Sequence, residues 1–236
     1  MTPEIQTFAA GSTWAAACAE RLTDALSDAV AANGRATFAG SGGSTPAPIY
    51  RLMSETDLDW TAVAVTLVDE RNVPETDEQS NARLLKQTLL ADRAAVARYV
   101  PLYHPAVTVD RAAAMATVAL RPEGRLDAVL LGMGEDGHIC SMFPDSPTLK
   151  TLLSPDLNPA VLGVPAGREG RPPSLERLSI NLPYLIQAGR VVLALTGTRK
   201  RAVFEEQAAG DPAVTPIAAL IAHKVPLEVL WTETAP

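Results

Sequence analysis

The 236-residue sequence has little positive charge, few cysteines and few histidines, and each shortage excludes a class of protein. A net charge of −7 argues against nucleic acid as a partner, because nucleic-acid binding needs a basic surface. The two cysteines, Cys18 and Cys140, lie far apart, which excludes a disulfide framework and indicates a reducing compartment. The three histidines are too scattered to predict a zinc triad.

Long apolar runs are missing as well. No run is long enough to span a bilayer, and the first residues show neither the basic nor the apolar region of a signal peptide. We therefore expect a cytoplasmic protein that does not bind membranes. No repeat or linker divides the chain, so we expect residues 1–236 to form a single domain. The apolar fraction of 47% is that of a globular protein with a substantial core.

Strand-like and helix-like segments alternate along the whole sequence. Apolar runs at 60–68, 127–133 and 190–195 predict buried strands, and helical periodicity predicts helices such as 107–120 between them. This alternation predicts an α/β fold with a largely parallel sheet and helices on both faces, which is a three-layer α/β/α architecture. In the first predicted helix, Ser12 is the expected N-cap.

Polar or glycine-rich segments follow four of the predicted strands, at 40–46, 69–72, 132–138 and 196–200. The carboxyl ends of parallel strands lie at one edge of a sheet, and open α/β sheets bind their ligands there. These four segments therefore predict a single active site.

The segment 40–46 reads Gly-Ser-Gly-Gly-Ser-Thr-Pro and joins a predicted strand to a predicted helix. Backbone N–H groups of such a loop can surround an anion, and the helix start adds the positive end of its dipole. No lysine follows the glycines, so the segment is not a Walker A loop. We predict a phosphate site formed by the backbone, Ser44 and Thr45. The alternative is a flexible tight turn.

Asp136 and His138 flank Gly137 just beyond the strand at 127–133. The glycine lets the backbone turn sharply, so both side chains can point into one cleft. A carboxylate beside an imidazole is a common way to build an oriented general base. A glycine-rich turn with one solvated histidine is the alternative. Cys140 does not by itself form a nucleophile–base pair with His138.

The same segment also fits a dinucleotide-binding fingerprint, with glycines at the required spacing in 132–137. Two features argue against that interpretation. Glu135 and Asp136 would place negative charge where a pyrophosphate should bind. Pro144 and Pro147 follow too soon for a long helix to begin there.

Two further charged segments have more than one interpretation. The segment 69–72, Asp-Glu-Arg-Asn, could be a polar cluster of a cleft or a solvated turn. The basic loop at 167–173, with Arg177 beyond it, suits phosphate or carboxylate recognition, although a solvated linker fits as well. The fourth segment, 196–200, joins the strand at 190–195 to a predicted helix, and Lys200 lies at the start of that helix.

Three motifs follow one another along the chain. They are Ser41-Gly42-Gly43-Ser44-Thr45-Pro46, then Asp69-Glu70-Arg71 with Val73-Pro74 and Ser80-Asn81, then Gly132-Met133-Gly134-x-Asp136-Gly137-His138 with Ser141-x-Phe143-Pro144. They occur in the same order in 6-phosphogluconolactonases, and the chain resembles that family over nearly its whole length. The resemblance implies a Rossmann-like core, shared with glucosamine-6-phosphate deaminases and ribose-5-phosphate isomerases. It also implies hydrolysis of 6-phospho-D-glucono-1,5-lactone to 6-phosphogluconate in the cytoplasmic oxidative pentose phosphate pathway, without a metal or any other cofactor.

The resemblance also implies roles for particular residues. His138 would be the general base that activates water for attack on C1, and Asp136 would orient it. Arg71 would stabilise the developing oxyanion or hold the phosphate, and the sequence leaves both open. Whether the protein is a monomer or a homodimer is equally open. The substrate- and phosphate-binding residues that the resemblance implies are Gly43, Ser44, Thr45, Asp69, Arg171 and Lys200.

Two other functions remain as alternatives. Glucosamine-6-phosphate deaminases resemble the chain at residues 136–139, Asp-Gly-His-Ile. However, they look like Asp-Glu-Tyr where this chain has Arg71 as the third residue, and they need a glutamate where it has Phe143. A sugar-phosphate-sensing module without turnover would keep the glycine loop but need not keep Asp136 and His138 together.

Overall fold

The computed structural model describes residues 2–234, which form strands and helices in alternation. Short 3₁₀ turns lie at Trp60–Ala62, Asp92–Val96 and Arg121–Glu123. The strands are β1 (Ile5–Phe8), β2 (Ala36–Gly40), β3 (Val63–Leu67), β4 (Asp69–Arg71), β5 (Arg98–Tyr99), β6 (Ala128–Leu131), β7 (Val161–Val164), β8 (Arg177–Ile180), β9 (Arg190–Thr196) and β10 (Leu227–Thr232). The α-helices are α1 (Gly11–Asn33), α2 (Ala47–Ser54), α3 (Asn81–Thr88), α4 (Val109–Leu120), α5 (Leu149–Leu152), α6 (Leu182–Ile186), α7 (Thr198–Ala208) and α8 (Pro216–Ala222).

Seven strands form a central sheet in the order β1-β10-β9-β6-β2-β3-β5, and every neighbouring pair is parallel. Every residue of β2, β3 and β6 is buried, as expected for strands that are covered on both faces. Helix α1 packs across β2, β6, β9 and β10. The predicted α/β fold, with a largely parallel sheet flanked by helices, is confirmed.

The strand order determines where a ligand can bind. The chain passes from β2 to β3 on one side and later returns to place β6 on the other side of β2. The order therefore reverses between β2 and β6, and open α/β sheets bind ligands in the crevice at such a switch point. The glycine loop leaves β2 at this point and the Asp136–His138 turn leaves β6.

A second, three-stranded antiparallel sheet, β4-β8-β7, was not predicted. The segment 69–72 was expected to be a polar cluster or turn, but Asp69–Arg71 is a strand that pairs with Arg177–Ile180. Aspartate, glutamate and arginine are poor strand formers, so local propensity did not indicate this pairing. The strand forms because its charged side chains find partners in the tertiary structure.

Local predictions near the first helix have mixed outcomes. Ser12 is not the N-cap, because α1 begins at Gly11 after Ala10, without a side-chain cap. The helix ends before Gly34, which adopts a φ of 70°, a conformation that suits glycine. Cys18 is fully buried, and this burial raises the pKa of its thiol to about 12. In the part of the chain that the structure describes, no helix is both long and apolar enough to cross a membrane.

Candidate active site

A cavity of about 240 Å³ opens at the carboxyl edge of the central sheet, and all four predicted segments contribute to its lining. Asp136 contacts the lining through His138. Two more lining residues are Asn81, which the sequence showed only as part of a motif, and Arg177, which it showed only beside the basic loop at 167–173. The predicted site residues that line the cavity are Gly43, Ser44, Thr45, Asp69, Arg71, His138 and Lys200.

The glycine loop is held close to α2 and α3 by contacts that only glycine allows. A Cβ atom at Gly42 would lie 1.8 Å from Asn81 Oδ1. Gly43 has a φ of 89°, which suits glycine and few other residues. The hydroxyl of Tyr50 donates to the carbonyl of Ser41 at 2.6 Å and fixes the start of the loop. The loop therefore has the approach to a helix start that a phosphate site requires.

Glu70 is fully buried and fastens β4 to the beginning of α3. Its carboxylate accepts hydrogen bonds from the backbone N–H groups of Arg71, Asn81 and Ala82, each at 2.7 Å. Ser80 Oγ donates a fourth bond at 2.9 Å. Burial raises the pKa of Glu70, although these donors oppose the rise. Glu70 is therefore a structural carboxylate that shapes one wall of the cavity.

Arg71 is fixed by one end of its guanidinium group. Nη1 donates to the carbonyl of Gln79 at 2.5 Å and to Asn81 Oδ1 at 2.7 Å. Asn81 is buried and lines this cavity. The Nε of Arg71 is buried without a hydrogen-bond partner among residues 2–234. Arg71 also lines the cavity, which places its positive charge beside any anion bound there.

Arg177 and Ser41 supply two more donors of the same kind. Arg177 Nε and Ser41 Oγ are buried and have no hydrogen-bond partner within the described chain. Burial lowers the pKa of Arg177, and the nearby Asp69 carboxylate, 3.9 Å from Nη1, opposes this effect. Unpartnered buried donors are rare in folded proteins, and Ser41, Arg71 and Arg177 all line this cavity. The two guanidinium groups make the cavity suitable for an anionic ligand.

Asp136 and His138 form a close pair just beyond the carboxyl end of β6. Asp136 Oδ1 lies 2.5 Å from His138 Nδ1. A carboxylate can only accept, so Nδ1 carries the proton and donates it, which leaves Nε2 free to act as a base. Burial would raise the pKa of Asp136, but the hydrogen bonds and charge of His138 hold it below its usual range. Gly134 must be glycine, since a Cβ there would lie 2.3 Å from the His138 ring.

The aromatic ring of Phe143 contacts the imidazole ring of His138. Its ring centroid is 4.2 Å from that of His138, with the two planes inclined by 33°. The guanidinium carbon of Arg177 is 5.7 Å from the same Phe143 centroid. The Phe143 ring thus contacts both the imidazole and the guanidinium group, and it limits the ways in which the imidazole can turn.

Asp69 lines the cavity as predicted, but its carboxylate already has a partner. Ser141 Oγ donates to Asp69 Oδ2 at 2.6 Å, and the Ser141 backbone N–H donates to Ser179 Oγ at 3.2 Å. This network joins β4 and β8 to the segment that follows His138. Cys140 also lines the cavity, but burial raises the pKa of its thiol well above the usual range, so it is not an activated nucleophile.

Of the two predicted basic phosphate ligands, the structure brings one to the cavity. Lys200 lines it from the first turn of α7. Arg171 lies instead in a neighbouring cavity of about 760 Å³, with Nη1 3.9 Å from Asp145 Oδ2. A phosphate role for Arg171 stays a prediction. Arg177, named in the sequence only beside the basic loop, reaches the cavity because its strand pairs with Asp69–Arg71.

In residues 2–234, no three histidine, cysteine, aspartate or glutamate side chains cluster in a way that could hold a metal ion.

A family model described as glucosamine-6-phosphate isomerases/6-phosphogluconolactonase matches residues 10–231. The 6-phosphogluconolactonase of Rhizobium meliloti is 41% identical over 234 residues, which cover 98% of this chain and 99% of that protein. The 6-phosphogluconolactonase of Caulobacter vibrioides is 39% identical, with 92% of each protein covered.

Solved structures give the same grouping. A 6-phosphogluconolactonase from Shewanella baltica superposes with a TM-score of 0.89 at 32% identity, covering 98% of both chains. A monomeric glucosamine-6-phosphate deaminase superposes with a TM-score of 0.78 at 16% identity, covering 98% of this chain and 97% of that one. The second likeness shows a shared fold alone.

Proposed function

Because the chain belongs to the glucosamine-6-phosphate isomerase/6-phosphogluconolactonase family, we propose that it hydrolyses 6-phospho-D-glucono-1,5-lactone with His138 as the general base. Several full-length relatives at 39–42% identity carry the name 6-phosphogluconolactonase, which supports this reaction of the pentose phosphate pathway. The observation that carries the mechanism is the Asp136–His138 contact of 2.5 Å beside the cavity.

The reaction begins with removal of a proton from water by His138 Nε2, as the oxygen of that water attacks the lactone carbonyl carbon C1. Asp136 stabilises the imidazolium that forms, because its negatively charged carboxylate accepts a hydrogen bond from the Nδ1–H group. Collapse of the tetrahedral intermediate breaks the bond between C1 and the ring oxygen. The imidazolium returns its proton to that oxygen, and the products are a carboxylic acid and a free hydroxyl.

Arg71 is the group we assign to the negative charge on the carbonyl oxygen. Its Nη1 is occupied by Gln79 and Asn81, so its orientation is fixed before the substrate binds. The residue lines the cavity, and its Nε–H has no partner in residues 2–234. A fixed donor needs no reorganisation as charge develops, which is why such donors accelerate acyl transfer.

The phosphate of the substrate is assigned to the glycine loop and Lys200. The loop residues Gly43, Ser44 and Thr45 line the same cavity as Lys200, and α2 begins directly after them. Lys200, Arg71 and Arg177 concentrate positive charge in a chain whose net charge is −7. An anionic substrate is therefore attracted to this cavity and not to the surface as a whole.

The contact between Phe143 and His138 argues against a deaminase reaction. By the family resemblance, deaminases need a carboxylate five residues beyond the histidine. Here that position holds an apolar ring 4.2 Å from the imidazole. Phe143 can neither donate nor remove a proton, so the lactonase reaction fits the site better.

The test measures hydrolysis of 6-phosphogluconolactone, generated in situ, by the wild type and by His138→Ala against the spontaneous background. We expect kcat of His138→Ala to fall by about 10²–10⁴-fold with little change in KM, because a general base acts in the transition state. His223→Ala, which changes a histidine at the end of α8, is the control and should keep full activity. An unchanged kcat in His138→Ala would remove His138 from the mechanism. A wild type no faster than background would refute the lactonase function.

A further inference from the structure

Gln207, near the end of α7, contacts the turn that carries the catalytic pair. Its Nε2 donates to the backbone carbonyl of Asp136 at 3.3 Å. The side chain of the same Asp136 holds His138 Nδ1. We propose that Gln207 is a positioning residue that sets the orientation of His138 through the Asp136 backbone. This inference rests on the proposed role of His138 as the base.

The turn itself is held mainly by bonds that run within it. Gly134 N–H donates to the His138 carbonyl at 2.9 Å, and Gly137 N–H donates to the Gly134 carbonyl at 3.1 Å. The bond from Gln207 comes instead from another element, α7, whose Phe204 is buried. It therefore adds a restraint on the Asp136 backbone from outside the turn.

Gly137 shows how closely Gln207 approaches. A Cβ atom on Gly137 would lie 1.5 Å from Gln207 Nε2 and 2.3 Å from its Cδ. Gly137 also has a φ of 85°, a conformation that glycine adopts without strain. The amide of Gln207 consequently packs directly on the peptide between Asp136 and His138, where a side chain on residue 137 would exclude it.

The Gln207 amide does not gain full hydrogen bonding from this arrangement. Its Oε1 is buried and has no hydrogen-bond partner among the residues described. Rotating the amide would face Oε1 toward the Asp136 carbonyl, which is also an acceptor, so the orientation is fixed. An unsatisfied buried acceptor costs stability. Leucine at this position removes that acceptor while keeping much of the volume, and should leave stability intact.

Helix α7 links two parts of the site. Lys200 in its first turn lines the cavity, and Gln207, two turns later, holds the catalytic turn. The exposed ion pair between Arg199 and Glu135 adds little, because solvent screens it. A single rigid element thus fixes the spacing between the proposed phosphate ligand and the base.

The experiment compares Gln207→Leu with Glu206→Leu, its exposed neighbour on the same helix turn. We expect Gln207→Leu to lower kcat by about 10-fold or more, since small misplacements of a catalytic group are costly. KM and the urea midpoint should not change, and Glu206→Leu should match the wild type. A Gln207→Leu enzyme with wild-type kcat would overturn the proposal, as would an equal loss of kcat in both variants or a loss that only follows lower stability.

A second variant tests the packing directly. Gly137→Ala should cost less activity in a Gln207→Ala background than in the wild type, because the clash with Gln207 is then absent; additive losses would contradict the inference. One readout needs no substrate. The NMR signal of the His138 Nδ1 proton should shift or broaden in Gln207→Leu and stay unchanged in Glu206→Leu. That signal tests the positioning role even if the lactonase assay of the wild type fails, and an unchanged signal would overturn it.

Discussion

The Asp136 carboxylate fixes both the tautomer and the orientation of His138, because an ionised carboxylate can only accept a hydrogen bond and Nδ1 must therefore keep its proton. The adjacent sequence made this pair predictable, since two residues flanking one glycine must lie close together. The cavity donors were harder to predict. Arg177 and Asn81 reach the cavity through pairing between β4 and β8 and through the buried Glu70, and neither contact leaves a local pattern in the sequence.

The pKa of Asp136 gives a prediction about stability. That pKa lies below its ordinary value of 3.8, because His138 bonds and charge outweigh burial. The folded state therefore releases the proton more readily than the unfolded state. Its contribution to stability is complete above pH 3.8 and is lost as the pH falls through the folded pKa. We expect the difference in unfolding free energy between wild type and Asp136→Asn to shrink below about pH 3.8 in urea titrations. A difference that is constant with pH would contradict this.

Arg71 could stabilise the oxyanion or hold the phosphate, and a conservative substitution distinguishes these two roles. If its Nε–H binds the oxyanion, Arg71→Lys should lower kcat by about 10²–10³-fold with a smaller change in KM, because lysine keeps the charge but lacks the fixed fork. Steady-state kinetics with 6-phosphogluconolactone measure both quantities. Arg83→Lys, a change on the outer side of α3, is the control. A rise in KM with kcat retained would instead make Arg71 a phosphate ligand.

At the scale of elements, the wall formed by β4 and α3 depends on one carboxylate. Glu70→Gln replaces an acceptor by an amide NH₂ group that faces backbone donors. We expect a loss of about 1–3 kcal/mol for each buried donor left unsatisfied, measured by urea unfolding, together with a raised KM as Arg71 and Asn81 lose their support. Glu78→Gln, an exposed change in the same segment, should be neutral. Equal stability of the two variants would show that Glu70 does not hold this wall.

Most elements could be predicted, and the failures share a physical cause. The strands of the central sheet were predictable because burial on both faces gives continuous apolar runs, as in 190–195. The strand Asp69–Arg71 was not, because tertiary partners outweigh the low strand propensity of its residues. Trp60–Ala62 is a 3₁₀ turn and not the start of β3, since Asp59 accepts from the Thr61 N–H. A polar cap there interrupts an otherwise apolar run.

At the scale of the whole molecule, the net negative charge of the chain makes the affinity for a substrate depend on the charge of that substrate. The chain carries −7, so an anion gains affinity only from the local cluster at the cavity. We expect kcat/KM for non-phosphorylated glucono-1,5-lactone to be far below that for the 6-phosphate. Lys200→Ala should reduce this difference in kcat/KM, because it should lower kcat/KM for the phosphorylated substrate alone. Equal rates of the wild type on both substrates would refute the phosphate assignment. Lys150→Ala, an exposed change on α5, is the matched control.

The strand order of the central sheet has a consequence for synthesis on the ribosome. Strand β1 joins the sheet through β10, which lies between β1 and β9. Strand β1, which is synthesised first, therefore has no strand to pair with until residues 227–232 have left the ribosome. Until then the buried strand Arg190–Thr196 has one open edge, and such an apolar edge can pair with another nascent chain. Stalled or truncated translation products that end before β10 should thus depend on chaperones far more than the finished protein does.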